Sequence, residues 1–262
     1  MGLDIIDSRY YALGLLVVLL VAAEFGYRMG RRLSPEDVLE GERDAGPFSG
    51  MIYALLGLLI AFTFSGATGR FDDRRDLILK EANAIGTAYL RIDLLPATYQ
   101  PELRQLFRDY TQSRITAYQL IKSDTTKAEA EYRHGIALQQ RLWQRSVAAA
   151  EATHSNSTQS LVIGAMNEMI DVANERFAAV YKHPPAVIYI LLFVLAMLAA
   201  MLAGYKLSTY PRIPRMQTVV FALALAATMY MVLDLEQPRL GLFMLDKADM
   251  LLEETLKGMQ AP

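Results

Sequence analysis

The sequence predicts an all-α membrane protein with four transmembrane helices and a helical insert between helices two and three. Three observations predict it. Apolar runs long enough to cross a bilayer, roughly 20 residues at about 1.5 Å rise each, recur four times; the charged residues crowd between the second and third run; no strand-like alternation occurs. With 53% apolar residues among 262 and a net charge of −2, the composition suits a membrane protein with a polar insert and argues against a basic nucleic-acid binder. The absence of cysteine removes disulfide frameworks, thiolate metal sites and cysteine nucleophiles.

The first span is expected from Tyr10 to Tyr27, with aromatic residues at both ends as in an interfacial belt. Asp4 and Asp7 precede the single arginine of Met1 to Arg9, the wrong charge for a secretory leader, so this segment reads as a retained membrane helix. Ser34 and Pro35 fit the cap and first position of a short helix, and Gly41 to Pro47 predicts a break before the second span. From Phe48 to Gly69 there is no charge; the composition then flips at Arg70-Phe71-Asp72-Asp73-Arg74-Arg75-Asp76, too ionic for hydrocarbon. No turn residue interrupts the join, so one helix is predicted to leave the membrane and run to Leu95, where Pro96 ends it. Its outer part carries Ile78, Ala82, Ile85, Tyr89 and Ile92 on one face, which calls for partner helices.

Those partners are expected at Pro101 to Lys122, Lys127 to Glu151 and Thr158 to Lys182. They are separated by Ser123-Asp124-Thr125-Thr126, a stop followed by a start, and by the polar run Thr153 to Ser157. Leu103, Phe107, Tyr110 and Tyr118 mark the inner face of the first, and Leu138, Leu142 and Trp143 that of the second. Val162, Met166, Met169, Ala173, Phe177 and Val180 form a near-heptad seam on the third. After His183-Pro184-Pro185, spans three and four are expected at Ala186 to Tyr205 and Met216 to Leu235. The division by sequence is therefore 1–69 for the first two spans, 70–183 for the insert, 184–236 for the last two spans and 237–262 for an amphipathic tail.

Two constellations are candidates for function. Leu56, Ile60 and Phe64 recur every four residues on a helix rich in small residues; they suit an ordinary packed helix, or a hydrophobic constriction around an axis that gates by dewetting. Arg70 and Arg74, one turn apart beside the second span, with Asp234 and Glu236 at the end of the fourth, suit a solvated ionic collar or a charged vestibule for ions. His134, His154 and His183 lie apart without ligand spacing, so no metal or other cofactor is expected. No phosphate-binding loop or nucleophile elbow occurs, which argues against an enzyme. Positive charges flank both sides of the spans about equally, and orientation does not follow from them.

The string Gly57-Leu58-Leu59-Ile60-Ala61-Phe62-Thr63-Phe64, followed by Arg70-Phe71-Asp72-Asp73-Arg74, resembles the second membrane helix of bestrophins and the signature after it. Leu235-Glu236-Gln237-Pro238-Arg239-Leu240-Gly241 resembles the acidic and proline motif after their last span. Phe64-Ser65-Gly66 and Glu81 to Arg91 are similar to strings in the bestrophin-like group of bacterial membrane proteins. The resemblance implies a homo-oligomeric, pentameric ion channel in the bacterial inner membrane, lined by span two. It would have Leu56, Ile60 and Phe64 as its neck and the insert and both termini in the cytoplasm. Two departures matter: Arg74 and Arg75 stand where bestrophins carry tryptophans, and Asp234, Glu236 and Asp246 are too few and too spread for a calcium clasp, so calcium activation is not implied. A non-conducting membrane scaffold or sensor that binds a protein partner through the insert is the second reading.

Overall fold

A computed structural model describes residues 8–33, 35–121, 123–210, 215–236 and 246–260, which are mostly helical with no strand among them. The helices are α1 (Ser8–Gly30), α2 (Pro35–Leu90) with a 3-10 turn (Arg91–Leu94), α3 (Gln100–Leu120), α4 (Thr125–Glu151), α5 (Asn156–Val180), α6 (Ala186–Leu207), α7 (Arg215–Glu236) and α8 (Asp246–Gln260). Four of them, α1, α2, α6 and α7, are long and apolar enough to cross a membrane. The chain divides into two compact units, Met1–Arg70 with His183–Phe243, and Phe71–Lys182 with Met244–Pro262.

The first unit packs α1, α6, α7 and the first part of α2 around Leu19, Leu192, Ala196, Ala199, Ala222 and Ala226. Lipid tails are as apolar as these side chains, so close fit rather than water exclusion must hold the helices together. The closest fit is between α1 and α6. A Cβ built on Gly204 would lie 1.8 Å from the Ala23 carbonyl oxygen, and one on Gly26 would lie 1.9 Å from that of Met201. Only glycine lets the two backbones touch there. Tyr53 ties α2 into the same unit, donating to the Ala199 carbonyl at 3.3 Å and meeting the Phe221 ring edge-on at 6.5 Å.

The expected break at Gly41 to Pro47 does not occur. α2 runs 56 residues, with Pro47 inside it, so the segment that begins at Pro35 is the start of the organising helix rather than a short helix of its own. Gly41 and Gly46 keep negative φ and therefore do not turn the chain. A proline removes one backbone donor but does not force a turn, and helices in or near membranes tolerate it when the freed groups find other partners.

In the second unit the face Ile78, Ala82, Ile85, Tyr89 and Ile92 is buried as expected, the last four in one core with Leu103, Phe107, Tyr110, Leu138 and Leu142. Leu95 is extended before Pro96 (φ −91°, ψ 160°). Asp124 caps α4 by accepting from the Lys127 amide at 3.0 Å, and Ser155 caps α5 by accepting from Thr158 at 3.4 Å. The seam of α5 departs from expectation at its end: Val162, Met166, Met169 and Ala173 are buried, but Phe177 and Val180 are exposed and Arg176 and Ala179 are buried in their place. A heptad repeat drifts against the 3.6-residue turn of a straight helix, and here the drift brings a guanidinium into the core. Ser34, Lys122, Pro211, Pro214, the motif from Gln237 to Gly241 and the side chains of Arg43 and Asp246 lie outside the described residues.

Candidate functional site

The three residues of the apolar stripe on α2 do not share one environment. Each step of four residues turns the side chain by about 40° around a helix of 3.6 residues per turn, so the stripe winds from the inside of the unit to its outside. Leu56 is 4% exposed within the core of the first unit, Ile60 is partly buried against that core, and Phe64 is 40% exposed. In a single copy, then, Phe64 is open to a neighbour and Leu56 is covered. A straighter exposed stripe runs beside it, Gly50, Ala54, Gly57, Ala61 and Phe64, at alternating spacings of four and three. Thr63 is buried and turns its hydroxyl to the Leu59 carbonyl at 2.8 Å, so its donor is not stranded on the apolar helix.

The candidate vestibule charges separate into two arrangements. Arg70 donates from Nε to Glu236 Oε1 at 2.8 Å, and Glu236 is buried at the last position of α7. The other oxygen of Glu236 lies 3.4 Å from His183 Nδ1, so one carboxylate joins α2, α7 and the segment leading into α6. Asp234 is fully buried two residues earlier. Arg74 is different. It is buried and donates to the Ala179 carbonyl at 3.3 Å and the Lys182 carbonyl at 3.2 Å, where the C-terminal end of α5 leaves carbonyls without helical partners. The expected Arg70–Glu236 neighbourhood exists; Arg74 acts as a cap rather than as an open charge.

Sequence reasoning missed the most charged cluster of the insert. Glu81, with no exposed surface, accepts from Arg114 Nε at 2.7 Å and from Arg176 Nη1 at 2.5 Å; Arg176 also reaches Asp249 of α8 at 2.7 Å. The Arg176 guanidinium stands 3.6 Å from the centroid of Tyr118, whose hydroxyl accepts from Arg114 at 2.7 Å. Burial by itself would raise the Glu81 carboxyl, but Arg114 and Arg176 outweigh it and hold it below the usual range. Beside them the Tyr110 phenol is pushed up by burial, and its hydroxyl has no hydrogen-bond partner among the described residues. The signal was present in the sequence: Glu81 falls between Ile78 and Ala82, and Arg114 between Tyr110 and Tyr118, on faces otherwise apolar. Two guanidiniums against two carboxylates balance in charge, as burial requires.

The family model of the Bestrophin-like domain matches residues 16–250. None of the curated proteins matches the chain. Two crystal structures of single-residue variants of a bacterial bestrophin homolog from Klebsiella pneumoniae are similar in fold at 14% identity, with TM-scores of 0.69 and 0.67. They cover 96% and 95% of this chain and 99% and 98% of theirs. A crystal structure described as that of a membrane protein is similar at 17% identity and a TM-score of 0.68, over 98% of each chain.

Proposed function

The chain belongs to the Bestrophin-like family, and on that premise we propose that it forms a homo-oligomeric, pentameric ion channel with the second span around the pore. The observation that carries this reading is the bareness of α2. Only 11% of its apolar window is buried within one copy, against 28%, 28% and 39% for the windows of α1, α6 and α7. Its exposed stripe is made of small residues that let neighbouring helices approach closely, and it ends on Phe64. Around an axis, repeated Phe64 rings with the half-buried Ile60 beneath them would form an apolar neck that closes by dewetting, with Leu56 packed behind it. Arg70, held by Glu236, would supply the charge at the mouth, with Asp234 buried two residues earlier on α7. The same reading puts the insert and both termini in the cytoplasm of a bacterial inner membrane.

Purified protein should run as a pentamer by native mass spectrometry and conduct in planar bilayers, and Phe64→Ala should change the single-channel conductance or the open fraction. Well-folded pentamers of both forms that stay silent would overturn the reading and favour a scaffold that binds a partner through its insert.

A further inference from the structure

We propose that the membrane face of the first unit holds a phospholipid whose headgroup carries a primary ammonium beside its phosphate, seated in a cleft between α1, α6 and α7. The cleft measures about 600 Å³, and the floor is the crossing point itself, Ala23 against Gly204. Its walls include Val17, Val21, Phe25 and Val219, all of which are exposed in the chain. A concave apolar surface in a bilayer does not stay empty, because its lining would forfeit dispersion contacts that an acyl chain supplies. Apolar fit alone would not choose among lipids.

The choice is made by the polar residues in the same lining. Glu24 and Arg28 stand one turn apart on α1, with Arg28 Nε donating to Glu24 Oε1 at 2.7 Å, and both side chains are open to the surroundings. The single bond leaves Arg28 with further N–H donors and Glu24 with a second carboxylate oxygen. A phosphate finds the guanidinium, reinforced by the exposed Arg31 and Arg32 just beyond, and an ammonium finds the carboxylate. A glycerol headgroup would gain the guanidiniums but offer Glu24 only neutral hydroxyls, and a quaternary ammonium has no N–H to give it. The pair matches a zwitterion that can donate. This site lies apart from the α2 stripe and does not depend on whether the protein conducts.

The test is lipid retention and thermal stability of the full-length protein in a non-ionic detergent, titrated separately with phosphatidylethanolamine, phosphatidylcholine and phosphatidylglycerol. Phosphatidylethanolamine should be retained saturably at one per chain and about fivefold more tightly than phosphatidylcholine. Glu24→Gln should abolish that preference, and Val21→Trp, which fills the cleft, should weaken all three lipids. The ranking in the unaltered protein decides the matter even if a variant fails to fold. Equal retention of the three lipids, a preference for phosphatidylglycerol, or a Val21→Trp protein that loses its oligomeric state while retaining lipid normally would each overturn the proposal, the last by giving the cleft to a second copy.

Discussion

Arg70 and Glu236 are bonded at 2.8 Å across 166 residues of chain, joining the first turn beyond the apolar part of α2 to the last residue of α7. Because Glu236 is buried and Arg70 only a quarter exposed, neither charge is fully screened by water. Removing one partner leaves the other charge part-buried and unpaired, so the two losses should not add in full. We expect Glu236→Ala to destabilise the first unit by about 2 kcal/mol, and Arg70→Ala/Glu236→Ala to recover about 1 kcal/mol of the sum of the single losses. Thermal melts of the four proteins in one detergent measure the coupling; strict additivity would mean that the contact contributes nothing.

Glu81 answers to two guanidiniums, so its loss leaves Arg114 without its carboxylate in the core of the insert and Arg176 with Asp249 alone. Glu81→Gln should destabilise the second unit by about 3 kcal/mol or prevent its folding. The pH dependence follows in sign. A carboxyl whose value is lower in the folded than in the unfolded state contributes stability that is present above its ordinary value of 4.5 and is lost as pH falls through the folded value. Melting temperature should therefore fall with acid in this range, and Asp249→Asn, which spares Glu81, should keep most of that slope.

Gly204 is in backbone contact with α1, and no side-chain movement can relieve an added methyl there. Gly204→Ala should push α1 and α6 apart and cost about 2 kcal/mol or more, whereas Gly164→Ala on α5, where an added Cβ meets open space, should be near neutral or stabilising. Comparing the melting temperatures of these two variants separates close packing from helix propensity.

α8 meets the rest of the insert through Asp249 with Arg176 at 2.7 Å, Glu253 accepting from Gln119 at 3.2 Å, and the Met259 carbonyl accepting from Tyr89 at 3.0 Å and from Arg108 at 3.4 Å. Leu252, Leu256 and Met259 supply its buried face. Asp249→Asn should loosen this helix before the rest, seen as faster amide exchange across residues 246–260 with little change in α3. Uniform loosening of the whole insert would show that α8 is not a separable element.

The legible parts of this protein were those written in period and composition. Four apolar runs and the face from Ile78 to Ile92 follow from spacing and burial cost alone, and the structure keeps both. The misread segment, Gly41 to Pro47, failed because glycine and proline signal what a backbone permits, and whether a turn forms depends on what surrounds it. The near-heptad seam of α5 failed in its last turn for a related reason: period predicts which residues share a face, but not that Arg176 would find Glu81 and Tyr118 waiting on other helices. Leu56, Ile60 and Phe64 look equivalent in sequence, yet the 3.6-residue turn carries one into the core of the first unit and leaves another at its surface.

By itself, the sequence determined the helical class and the four helices apolar enough to span a membrane, since both depend on local hydropathy and period. Only the tertiary structure decided which charges meet and which are open, because Arg70 with Glu236, Arg74 with the end of α5, and Glu81 with its two arginines are contacts between residues distant in the chain. Their energies depend on burial and angle, quantities that no single stretch of sequence contains.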